Sequence, residues 1–321
     1  MGDDKMWKAS RALVTALHPS TSKEHVLPRF EQSVFVDRKE VIKNFTILER
    51  MQSISNGYFE EVQSEITKPM RTMLLEWMFE VCDEERCSCE VFPLAASFVD
   101  RFLSVEAVHK RQLQALGTAC LFIASKVKLV SPFSASRLVD FTDEAVPMSE
   151  LLSWEMLVLD RLNWDVSTLT AFDFLDQYVH RLKLPSKLIA GLRPYLNYLV
   201  PLTVIDFPMA TLPPSMVAAS CLQVAATHVL GDVDAGRQMM ETLNTITGMD
   251  MESIEVHAHQ MYQLFIQNQN DPSKAFLSSS TQAWCSAKHL ICETASGQGA
   301  SNSVSGASTL TPTEIEDVVI Y

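Results

Sequence analysis

The sequence predicts an all-α protein built from two stacked helical domains and closed by a disordered C-terminal tail. Apolar residues recur at three- and four-residue spacing over most of the chain after Asp37, strand signals are sparse, and one helical pattern returns about 100 residues later. At roughly 100–200 residues per domain, a chain of 321 residues holds two domains, or one with tails. Four segments follow: an N-terminal extension over 1–35, a first helical unit with its preceding helix over 36–165, a second over 166–270, and a tail over 271–321.

The first 30 or so residues are unpatterned beyond a short helix near Trp7 to Leu17. Asp37 opens a helix to Met51, with Val41, Ile42, Phe45, Leu48 and Met51 on its apolar face. Pro69 suits a first helical position. Met70, Met73, Leu74, Trp77, Met78 and Val81 then form one stripe, and Leu75, Phe79 and Cys82 a second, so this helix is covered on two sides. Helices follow over Val91–Leu103 and Leu113–Val130. The latter is apolar nearly all round, and Gly117 inside it costs about 1 kcal/mol against alanine unless a close helix crossing offsets it. A short helix near Ala135–Phe141 and a long one over Pro147–Leu162 complete the first set.

The second set begins near Thr168, after a break over Asn163–Ser167. Ala119–Ala124 matches Ser220–Ala225 at an offset of 221 − 120 = 101, which also lays Leu74 on Leu175, Trp77 on Tyr178 and Val81 on Leu182. From about 271 onward, Ser278-Ser279-Ser280 and the Ser/Gly/Asn-rich run to Thr309 offer little apolar surface to offset chain entropy.

Lys+Arg number 26 against Asp+Glu 39, a formal charge of −13, which argues against nucleic acid or an anionic membrane as partner and favours a protein. Seven cysteines, an odd number set partly in apolar runs, indicate a reducing compartment. No run of about 18 unbroken apolar residues marks a membrane span, and the N-terminus lacks a signal-peptide cleavage site. The expected location is nucleus and cytoplasm.

Enzyme signatures are missing: no phosphate-binding Gly-rich loop with Lys-Ser/Thr, no nucleophile elbow, no paired histidines flanking a glutamate. No catalytic residue and no cofactor is assigned. Cys82, Cys87 and Cys89 lie close together but lack a second Cys/His pair at tetrahedral spacing, and His257 and His259 point to different helix sides, so no metal is assigned either. Two charges stand out at apolar-stripe positions. Glu155 interrupts Met148, Leu151, Leu152, Val158, Leu159 and Leu162, and Lys126 follows Ala119, Phe122 and Ile123. A buried charge needs a partner. Either these two pair with each other, or both reach an opening where another protein supplies backbone groups.

Met70–Met78, Phe92-Pro93-Leu94-Ala95, Asp100–Ser104, Leu116–Ala119 and Ala124-Ser125-Lys126 resemble the amino-terminal cyclin box in order, spacing and helical phase. The resemblance spans roughly residues 40 to 268. Pro213–Ala219 and the closing Leu310–Val318 are similar to D-type cyclins in particular. The resemblance implies two tandem five-helix cyclin boxes and a non-catalytic activating subunit of cyclin-dependent kinase 4 or 6, driving entry into DNA synthesis through phosphorylation of retinoblastoma-family proteins. It places the kinase-binding pair at Lys126 and Glu155, 155 − 126 = 29 residues apart. It puts a docking patch for substrates and kinase inhibitors at Met70, Leu74, Trp77, Glu80 and Gln114, for which simple core packing is the plain alternative. Thr311, before Pro312, is by resemblance a phosphorylation-dependent degradation and export signal read by a ubiquitin ligase. One feature departs: the Leu-x-Cys-x-Glu segment that docks retinoblastoma proteins is missing, since no cysteine precedes Cys82 and Leu290-Ile291-Cys292-Glu293 has its glutamate one position early. Nor does any basic cluster mark autonomous nuclear import. Two other readings stand beside this one: a transcription factor built on the same paired boxes, which should show a basic face, and a helical scaffold with no kinase partner, in which Lys126 and Glu155 bond to each other.

Overall fold

A computed structural model of the chain describes residues 39–52, 54, 56–231 and 233–270. The expected N-terminal helix, the tail and Thr311 lie outside the described residues. Within them there are α-helices and no strands. A leading helix α1 (Lys39–Met51) and a one-turn α2 (Tyr58–Glu61) precede a first set: α3 (Lys68–Glu84), α4 (Val91–Leu103), α5 (Leu113–Lys128), α6 (Ala135–Phe141) and α7 (Met148–Arg161). The second set is α8 (Ala171–Arg181), α9 (Ser186–Ile205), the short α10 (Phe207–Ala210), α11 (Pro214–Leu230), α12 (Val233–Thr247) and α13 (Met251–Asn270).

The 101-residue offset carries through the whole set. Added to the bounds of α5 it gives 214–229, against the observed 214–230 of α11. The same shift lays α3, α4, α6 and α7 over α8, α9, α12 and α13. In each set the apolar helix is central: α5 packs on α3, α4 and α7, and α11 on α8, α9, α12 and α13. Gly117 is the close crossing its sequence context called for, since a Cβ there would lie 2.7 Å from Leu74 Cδ1 and 3.2 Å from Met78 Sδ. Local chemistry fixes the ends. Ser134 Oγ accepts from Arg137 N–H to start α6, Asp173 accepts from Thr170 N–H to start α8, and Gly231 at φ +65 ends α11 in the left-handed region.

Buried polar groups tie the two sets together. Arg71 is fully buried; its Nε and Nη2 each donate to Asp100 at 2.6 Å, and its Nη1 and Nη2 donate to the carbonyls of Ile205 and Val204 at 3.0 Å. One guanidinium thus neutralises a buried carboxylate and caps the C-terminal end of α9. Tyr58 Oη donates to the same Asp100 at 2.9 Å, and Phe207 stacks edge-on against Tyr58 and Phe59 beneath Arg71. Lys128 reaches Glu90 at 2.9 Å and Asp173 at 3.5 Å, one acid from each set. Glu49 of α1 accepts from Ser215 N–H at 3.0 Å and Ser215 Oγ at 2.8 Å, capping α11 from outside, while Phe45 meets Phe174 edge-on at 5.5 Å.

One sequence expectation needs correction. The covered face of α1, which packs on α8 and α11, is Ile42, Phe45 and the polar Glu49, whereas Leu48 and Met51 are exposed. The expectation that no unbroken apolar run marks a membrane span stands. Helix α9, of 20 residues, is long and apolar enough on average to cross a membrane, but Lys187, Arg193 and Asn197 interrupt it and it is half-buried over its most apolar window, as a core helix is.

Candidate functional site

Lys126 stands in the last turn of α5 and Glu155 midway along α7, and α5 packs along α7. Their heads meet: Lys126 Nζ donates to Glu155 Oε1 at 2.5 Å, and the ammonium lies 3.6 Å from the centroid of the Phe122 ring. The pair therefore bonds internally, the first of the two arrangements the sequence left open. It is not sealed in the core, however. The Lys126 side chain is 41% exposed and that of Glu155 13%.

The core phase read for α7 is corrected accordingly. Its buried residues are Leu151, Trp154 and Val158, while Met148, Leu152 and Met156 are exposed at 40%, 45% and 54%. These three recur every four residues and so share a face, with Glu155 beside it at three residues from Leu152. Val127 and Val130, just past Lys126, are exposed too. An ion pair bordered by uncovered aliphatic side chains is chemistry suited to a partner protein, because the apolar rim excludes water from the charged hydrogen bonds at its centre. A surface ion pair contributes about 0–1 kcal/mol, so opening it costs little when a partner supplies new donors and acceptors. Sequence periodicity identified the two charges but missed this rim, because a stripe of apolar residues shows which face is greasy and not whether anything covers it.

The docking-patch residues lie on α3 and in the first turn of α5. Met70, Leu74 and Trp77 project from α3 and are buried at 8%, 1% and 6% exposure. Glu80, also on α3, is half-buried, and burial followed by the charge of Glu76 pushes its carboxyl up to about 7. Gln114, in the first turn of α5, keeps its Nε2 buried with no hydrogen-bond acceptor among the described residues. Three apolar members are thus largely packed within the fold, and two polar members carry unsatisfied or crowded groups next to them.

Comparison with known proteins supplies the family. Residues 40–167 match the model described as Cyclin, N-terminal domain, and residues 169–289 match Cyclin, C-terminal domain. The G1/S-specific cyclin-D3 of Mus musculus is 37% identical over 223 residues, covering 70% of this chain and 76% of that protein. The G1/S-specific cyclin-D2 of Gallus gallus is 34% identical over 247 residues, covering 73% and 85%. Among solved structures, the X-ray structure of a viral cyclin from herpesvirus saimiri superposes with a TM-score of 0.54 at 26% identity, covering 67% of this chain and 99% of that one. The two domain matches fall on the two helical sets, so the tandem all-α boxes expected from the sequence are the fold of this chain.

Proposed function

Because the chain belongs to the cyclin family, and within it to the D-type cyclins, we propose that it is the non-catalytic activating subunit of a cyclin-dependent kinase, of type 4 or 6. Lys126 and Glu155 bond to each other, as they also would in a scaffold without a kinase partner. The observation that carries the proposal is that Lys126 is exposed and that Met148, Leu152 and Met156 lie uncovered on the face beside Glu155, so the pair is accessible to a partner. On meeting the kinase, the pair opens. The ammonium donates to backbone carbonyls and the carboxylate accepts from amides around the kinase's regulatory helix, charge-assisted bonds stronger than neutral ones. The rim then covers that helix and holds it inward, where the kinase forms its own Lys–Glu pair and aligns ATP. The cyclin makes and breaks no covalent bond; it biases a two-state element of its partner.

The same reading assigns Met70, Leu74, Trp77, Glu80 and Gln114 to docking of substrates and kinase inhibitors, with retinoblastoma-family proteins as the substrates that commit the cell to DNA synthesis. It assigns Thr311 to phosphorylation-dependent capture by a ubiquitin ligase, and it places the protein in nucleus and cytoplasm. The test is reconstitution with purified cyclin-dependent kinase 4 or 6 and a retinoblastoma fragment. Adding the chain should raise phosphorylation far above that of kinase alone; a kinase left at its basal rate would contradict the proposal.

A further inference from the structure

The C-terminal end of α3 brings two thiols together. Arg86 takes φ +48, its N–H donates to the Asp83 carbonyl at 3.0 Å, and Cys87 N–H reaches back to the Cys82 carbonyl at 3.1 Å. This is the Schellman arrangement, in which the residue two past the cap meets the one five positions earlier, usually through an apolar contact. Here both residues are cysteines, and neither is bridged. The backbone bond between them limits their Cα separation to about 7 Å, the range in which a disulfide closes.

The two thiols differ in access and in acidity. Cys82 is buried, while the half-buried Cys87 lines a cavity of about 490 Å³ whose walls include Arg86, Ser131, Phe133 and Arg137. A hydrogen bond from Cys82 draws the Cys87 thiol below its ordinary value, against burial and the charges of Glu85 and Asp83, and the same contact with burial holds Cys82 well above. Burial alone raises Cys221, and burial is the leading cause for Cys89, up to about 11, and for Cys120. Thiolate character and exposure together decide which cysteine meets an oxidant first.

We propose that Cys82 and Cys87 form a reversible oxidation site for hydrogen peroxide, with Cys87 as the attacking sulfur and Cys82 as the resolving one. The Cys87 thiolate attacks one peroxide oxygen; the O–O bond breaks, hydroxide leaves, and Cys87 becomes a sulfenic acid. The Cys82 sulfur then attacks Cys87, the S–S bond forms, the S–O bond breaks, and the oxygen leaves as water with the Cys82 proton. Two electrons pass from the sulfur pair to one peroxide, which ends as two waters once hydroxide takes up the proton Cys87 gave off. The disulfide staples the turn after α3, beside the ion pair that Glu85 makes with Arg137 of α6 at 2.7 Å.

The experiment exposes the full chain to hydrogen peroxide and maps thiols by alkylation and peptide mass spectrometry. The free thiol of Cys87 should disappear at least about tenfold faster than those of Cys120 and Cys221, with a Cys82–Cys87 disulfide as the product, reversed by dithiothreitol. In Cys82→Ser, or Cys82→Ala should the serine not fold, Cys87 should stop at a sulfenic acid trapped by dimedone. Oxidation of Cys87 no faster than Cys120, or preferential pairing of Cys87 with Cys89 or with Cys285 or Cys292, would overturn the proposal.

Discussion

Glu49 and Ser215 lie 166 residues apart in sequence, yet the carboxylate of the first accepts both the N–H and the Oγ–H of the second. A leading helix is thereby joined to the start of the central helix of the second box, in the manner of an N-cap supplied from a distant segment. Burial raises the Glu49 carboxyl above its ordinary value, with the Ser215 bonds acting in the opposite sense.

Removing that cap should loosen α1. Glu49→Ala is expected to lower unfolding stability by about 1 kcal/mol, the usual worth of a cap, and to speed amide exchange in α1 more than in α5. Hydrogen exchange read by mass spectrometry checks both; equal protection of α1 in variant and wild type would show that the contact contributes nothing.

Arg71 holds the boxes together through Asp100 and the two carbonyls ending α9. Arg71→Leu strands a buried carboxylate and should cost about 3–5 kcal/mol. Arg71→Lys should recover little, because an ammonium cannot fill the fork geometry that spans Asp100 and the α9 carbonyls. Chemical denaturation measures this, and a loss below about 1 kcal/mol for Arg71→Leu would mean the pair is dispensable.

Glu80 gives a pH signature. Burial first and Glu76 second raise its carboxyl to about 7 in the folded chain, from the ordinary 4.5. A raised acid binds its proton more tightly when folded, so its favourable contribution is full below the unfolded value and fades as pH climbs through the folded one. Glu80→Gln lacks that proton. The thermal midpoint of the variant should therefore gain on wild type between about pH 4.5 and 7 and run parallel above. A difference independent of pH would show that Glu80 is not perturbed.

Much of this architecture is written in helical periodicity. The bounds of α4 and α6 match their apolar runs to the residue, and the 101-residue echo between Cys120 and Cys221 locates two central helices. Long-range polar closure is not. Nothing local announces that Arg71 will cap a helix ending at Ile205, or that Glu49 will meet Ser215, since each partner looks ordinary within its own segment. Coverage is equally invisible: Trp154 is buried while Leu152 and Met156 are not, although all three sit in one apolar stretch. Lys126 and Glu155 were legible as anomalies and their mutual bond as one of two arrangements, but the choice between the two and the exposed rim emerge only when α5 and α7 are placed side by side.

The claim on which the function rests is that this ion pair opens to hold a kinase helix, and the dissociation constant of the reconstituted complex tests it most directly. Lys126→Ala combined with Glu155→Ala should leave the thermal midpoint of the free chain nearly unchanged, since a surface pair is worth at most about 1 kcal/mol. It should also weaken kinase binding by at least about tenfold, the equivalent of 1.4 kcal/mol. Wild-type affinity in the folded double variant, with full phosphorylation of a retinoblastoma fragment, would contradict the account.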